Sequence, residues 1–135
     1  MRKYLFILFV FTLLLTGCAS NKSGTIEIKD KMFLTQTNEI YENYKDYLGK
    51  NIKLEGIYTQ EGKYQTVYRK TNGCCGDDGK IGFGILWDGA KAKADDWVEV
   101  EGVLEEYKDN GGVYLVIKAN ELNVLPERGI DFVTQ

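Results

Sequence analysis

The chain has 135 residues, 44 % of them hydrophobic, which is enough apolar material for one small core. A formal charge of −3 disfavours a nucleic-acid backbone or an anionic headgroup layer as partner. With no histidine there is no Ser-His or Cys-His pair for hydrolytic catalysis, and three cysteines do not make a disulfide framework.

Arg2 and Lys3 give a positive start, and Tyr4 to Leu15 is apolar apart from Thr12. That run is shorter than the roughly 20 residues of a spanning helix and has the length of a signal-peptide core. It closes on Leu15-Thr16-Gly17-Cys18, where the chain resembles bacterial lipoprotein precursors with their Leu, small, small, Cys lipobox. The resemblance implies a signal peptide over 1–17, cleavage before Cys18, and diacylglycerol and fatty acyl chains on that cysteine. Several such chains together hold a protein firmly at the extracytoplasmic side of the cell membrane. A secreted protein with a chance cysteine is the blander alternative. Residues 18–24, polar from Ser20 to Gly24, read as a tether.

The folded domain is expected over 25–126, with 127–135 as a loose tail. Thr25-Ile26-Glu27-Ile28-Lys29 alternates like a short strand. A helix follows, capped by Thr37 or Asn38, with Ile40, Tyr44, Tyr47 and Leu48 on one face and Gly49 just past its end. The tyrosines on that face read as phenols at the wet rim of a half-buried helix rather than as a ligand-stacking stripe. Beyond Gly49 the period changes to two. Ile52, Leu54 and Tyr58 share a face, then Tyr64, Thr66 and Tyr68 after a turn at Gln60-Glu61-Gly62, then Ile81, Phe83, Ile85 and Trp87. The polar stretch from Asp88 to Asp96 has room for a helical turn. Val98, Val100, Gly102 and Leu104 oppose Glu99 and Glu101. After the hairpin turn Asp109-Asn110-Gly111-Gly112, the residues Val113, Leu115, Ile117 and Ala119 return on one face. The fold class is therefore mainly β: a small five-stranded OB-like barrel preceded by one short α-helix, with a small β-sandwich as the alternative.

Thr71 to Lys80 is the candidate site, read as a solvent-facing loop between two strands that holds Cys74 and Cys75 side by side with Asp77 and Asp78 close behind. A disulfide within the pair would be strained, because neighbouring α-carbons sit about 3.8 Å apart and disulfides normally span about 4.4–6.8 Å. Such a bridge would serve as a labile switch. Alternatively, two thiolates favour a soft or borderline ion, zinc or cuprous copper, with Asp77 or Asp78 lending oxygen. The missing spacer and the lack of histidine count against a closed structural zinc site, though not against an open one. The third reading is two small groups packed at the barrel mouth. The pairs Glu99 with Glu101 and Glu105 with Glu106 read as solvated strand faces and ends.

Ile26-Glu27-Ile28, Phe33, Ile40-Tyr41, Tyr47-Leu48-Gly49-Lys50, Glu55-Gly56, Arg69, Cys74-Cys75 with Asp78, and Trp97 to Gly102 together make a pattern. It is similar to the extracytoplasmic C-terminal domain of YcgQ-like membrane proteins, subunits that accompany a permease. The resemblance implies a cell-surface accessory role toward a transported ion or small ligand. Cys74, Cys75 and Asp78 match its Cys-Cys-x-x-Asp motif. A lipid anchor would replace the membrane-spanning part of those proteins. The expectation is a non-enzymatic, lipid-anchored binding protein with Cys74, Cys75 and Asp78 as metal ligands. Its partners would be the membrane and a permease or other envelope protein, and no nucleic acid. A thiol redox protein using Cys74 and Cys75 and a protein-interaction module are the alternatives.

Overall fold

A computed structural model describes residues 24–74 and 76–134, the side chains of Asp77 and Asp78 excepted. The expected signal peptide, Cys18 and residues 19–23 of the tether lie outside the described residues. The described chain runs β1 (Ile26–Ile28), a turn of 3-10 helix (Asp30–Met32), α1 (Phe33–Glu42), α2 (Tyr44–Tyr47) and then five long strands. These are β2 (Asn51–Glu61), β3 (Tyr64–Gly73), β4 (Gly76–Leu86), β5 (Trp97–Asp109) and β6 (Gly112–Val124).

The strand order is β2-β3-β4-β6-β5, and β5 pairs back onto β2 from Asn51↔Val103 to Ile57↔Trp97. That last pairing closes the sheet, so the architecture is an OB-like barrel and not a sandwich. All the other barrel ladders are antiparallel, but β4 and β6 run parallel over Gly84↔Val116 to Leu86↔Lys118. β1 pairs parallel with β2 at Ile52 to Leu54, short of the stretch Ile57 to Glu61 that pairs with β3. Period-two alternation sends Ile52, Leu54, Val67, Phe83, Val100 and Leu104 into a common core. The β3 and β4 backbones approach very closely at Gly82, where a Cβ would sit 2.0 Å from Val67 O. The Asn110-Gly111 turn has φ of 47° and 80°, as a two-residue hairpin with right-handed strand twist demands.

Five local expectations are corrected. The helix starts at Phe33, and Thr37 is a fully buried residue within it rather than its cap. Burial of Phe33, Thr37 and Ile40 at i, i+4 and i+7 outweighs the capping signal. A break at Asn43 then takes Leu48 off the core face and into solvent. The segment 87–96 forms no helix; it is held by Tyr58 N–H donating to Asp96 O and Asp95 N–H to Tyr58 O, both at 2.9 Å. At the start of β6, Val113 is 60 % exposed, because this end of the β5–β6 hairpin extends past the residues that pair with β4. The tail is docked: Lys70 N–H donates to Asp131 O (2.7 Å), Val133 N–H donates to Lys70 O (2.8 Å), and the Val133 side chain joins the core.

Candidate functional site

Thr71 to Lys80 is not a loop but the end of a hairpin. β3 continues to Gly73 and β4 begins at Gly76, with Lys70↔Lys80, Thr71↔Gly79 and Gly73↔Gly76 as partners and a bulge between Thr71 and Gly73. The run of Asn, Gly and Asp disguised these strands, since such residues are depleted in sheets. Two positions remain between the paired ends. Cys74 is an exposed turn residue there, while Cys75 lies outside the described residues. Asp77 and Asp78 belong by backbone to β4, and their side chains lie outside the description. Among the described residues, no three Cys, Asp or Glu side chains converge on a site of metal size. Glu99 and Glu101 carry outer-face contacts: Glu99 pairs with Lys53 at 3.0 Å, and Glu101 accepts from Asn51 Nδ2 at 2.5 Å.

Further along β3 from the hairpin tip, Arg69 is 1 % exposed. Its Nε donates to Glu55 O (2.9 Å) and its Nη1 to Ile130 O (3.2 Å), while Asp30 Oδ1 lies 2.5 Å from Nη1. The guanidinium carbon is 4.4 Å from the Phe33 ring centroid and 5.0 Å from that of Trp97. A buried cation is tolerated only when paired and hydrogen-bonded, and a planar fork suits two carbonyls and a carboxylate at once. Arg69 thereby joins β3, β2, the 3-10 turn and the tail at the base of the hairpin. This role is structural.

A second feature lies at the opposite end of β3. An open cleft of about 560 Å³ is bordered by the β2–β3 turn and the β5–β6 hairpin, with Tyr41, Tyr64, Tyr107 and Tyr114 in its walls. Tyr41 stacks on Phe83 (centroids 5.1 Å, planes 8° apart), and its hydroxyl donates to Gly82 O at 2.7 Å. Burial raises the Tyr41 phenol above its ordinary value of 10.0. Across the rim, Asp109 accepts from the Tyr64 hydroxyl and pairs with Lys63 Nζ at 2.9 Å. Those two hydrogen bonds, Tyr64's foremost, hold the Asp109 carboxyl below its ordinary value.

The sequence profile of the DUF1980 C-terminal domain matches residues 16–128. The chain belongs to that family. The match takes in every strand of the barrel and both helices, and it is consistent with the YcgQ-like resemblance. No curated protein matches the chain. Among solved structures, the dimeric N-terminal domain of PriB protein from Thermoanaerobacter tencongensis is similar at 20 % identity. That likeness covers 57 % of this chain and 97 % of that one, with a TM-score of 0.35. No described helix of this family member is long and apolar enough to cross a membrane.

The tyrosine cleft lies apart from Thr71 to Lys80, the candidate site read from the sequence. The helical stripe Tyr44 and Tyr47 drew attention, yet Tyr41 is the helix tyrosine wedged against the barrel. A signal was present: Tyr107 and Tyr114 stand symmetrically about the Asn110-Gly111 turn, a spacing that makes them cross-strand partners.

Proposed function

We propose that this DUF1980 C-terminal domain is a non-catalytic accessory domain of the cell envelope that offers Cys74, Cys75 and Asp78 to a soft metal ion. In this reading lipid on Cys18 moors it to the extracytoplasmic face of the membrane, where it serves a permease or another envelope protein. One observation carries the proposal: the hairpin β3–β4 stays paired out to Gly73↔Gly76 and exposes Cys74 at its tip. A paired arm presents a turn more rigidly than a free loop does, and adjacent thiolates match zinc or cuprous copper in softness. Arg69 at the base keeps the arm seated on the barrel.

The test is titration of purified protein with zinc and with cuprous ion, beside a Cys74→Ser, Cys75→Ser double variant. Stoichiometric binding that the double variant loses supports the proposal. Equal binding by both proteins rejects it. A reversible two-hydrogen mass change without metal uptake replaces it with thiol redox chemistry.

A further inference from the structure

We infer that the tyrosine cleft binds an uncharged linear oligosaccharide, whose sugar rings stack on Tyr64 and Tyr114. Among the described residues eight large hydrophobic side chains are exposed, and four of them, Tyr41, Tyr64, Val113 and Tyr114, line this one cleft. Such clustering marks a contact surface, whereas scattered exposure does not. Its volume of about 560 Å³ suits a few linked sugar rings.

The choice of ligand follows from charge and ring geometry. Lys63 is the one charged residue lining the cleft among the described residues, and Asp109 neutralises it at 2.9 Å. Among the described residues, no unpaired cation lines the cleft to meet a phosphate or carboxylate, and no carboxylate lines it to meet an amine. The Tyr64 hydroxyl is committed to Asp109 and the Tyr41 hydroxyl to Gly82 O. One face of Tyr41 lies on Phe83 and Lys63 Nζ sits 5.2 Å from the Tyr64 ring centroid, so each of these two tyrosines offers its remaining ring face rather than its hydroxyl. A flat apolar face is what the C–H side of a pyranose packs against, and two stiff χ angles make that contact cheap in entropy. Thr66 and Tyr107 supply hydroxyls in the walls for the sugar's polar edge. The Asp109 bridge joins the two turns that flank the cleft, so the walls are held before a ligand arrives.

Cellohexaose, chitohexaose and maltohexaose serve as neutral probes and a thymidine oligonucleotide as the charged one, each titrated into the purified protein by calorimetry and followed by tyrosine fluorescence. At least one saccharide is expected to bind, with about a tenfold loss of affinity in Tyr114→Ala and in Tyr64→Ala. Tyr64→Phe separates the ring from its bridge to Asp109 and should keep most of the affinity. Val124→Ala, exposed elsewhere, should leave it unchanged. No binding by any of the three saccharides to protein of unchanged thermal midpoint overturns the inference. So does saccharide binding indifferent to Tyr114→Ala, or binding of the oligonucleotide alone. The cleft sits up to about 30 Å along β3 from Cys74. The Cys74→Ser, Cys75→Ser variant should therefore bind sugar normally, and failure of the metal reading leaves this one standing.

Discussion

Replacing Arg69 by methionine isolates the buried guanidinium that joins four segments. The change leaves the carbonyls of Glu55 and Ile130 without donors, at about 1–3 kcal/mol for the two together, since Glu55 is half-buried and Ile130 exposed, so water reaches part of each site. It also removes the cation from beside Phe33 and Trp97, roughly 1 kcal/mol more. Methionine offsets part of this by filling much of the same space without a charge to desolvate. The net expectation is destabilisation by about 2–3 kcal/mol, or a fall in midpoint of roughly 10–20 °C. Asp30 behaves differently. Its side chain is 47 % exposed, and the guanidinium keeps its two carbonyl acceptors. Asp30→Ala should therefore cost less than Arg69→Met, on the order of 1 kcal/mol for the lost counter-charge. Arg69→Lys keeps the charge but not the fork, and should cost nearly as much as methionine. Urea unfolding followed by tryptophan fluorescence measures all three, since Trp97 adjoins the guanidinium. If Arg69→Met lies within about 1 kcal/mol of the parent protein, or if Asp30→Ala matches it, the reasoning fails: either the carbonyls find other donors or the ion pair is the main term.

Two further outcomes follow from the barrel and its rim. Gly82→Ala places a Cβ 2.0 Å from Val67 O and 2.6 Å from Tyr68 Cα, both backbone. It should cost on the order of 3 kcal/mol or more in thermal unfolding, whereas Gly24→Ala, with nothing within 4 Å, should cost nothing measurable. The Asp109 bridge has a defined pH window. Its carboxyl is held below 3.8, so its stabilisation is present above that value and is lost as pH falls through the lower folded one. Tyr64 and Lys63 are raised above 10.0 and 10.5, each chiefly by the hydrogen bond to Asp109. Their share is present below those values and is lost as pH rises through the higher folded ones. The difference in midpoint between the parent protein and Asp109→Ala should thus stay flat from about pH 5 to 9 and shrink outside that range. A difference that varies within the window contradicts the bridge.

Much of the barrel was legible because strand alternation and hairpin turns are local properties of the chain. Ile52 and Leu54, Phe83 and Ile85, Val98 to Leu104 and the Asn110-Gly111 turn each announce themselves within a few residues. The misreadings arose where distant partners outweigh local preference. Thr37 looked like a cap until Phe33 found the core, and Thr71 to Lys80 looked like a loop until β3 and β4 found each other. The 131–133 stretch looked free until Lys70 and the core received it. Local sequence therefore determined by itself the strand periods and the tight turns. Only the tertiary structure decided that the sheet closes, that Arg69 is buried, and that Tyr41, Tyr64, Tyr107 and Tyr114 share one cleft. Those facts depend on contacts between residues tens of positions apart, whose energy appears only once the chain has brought them together.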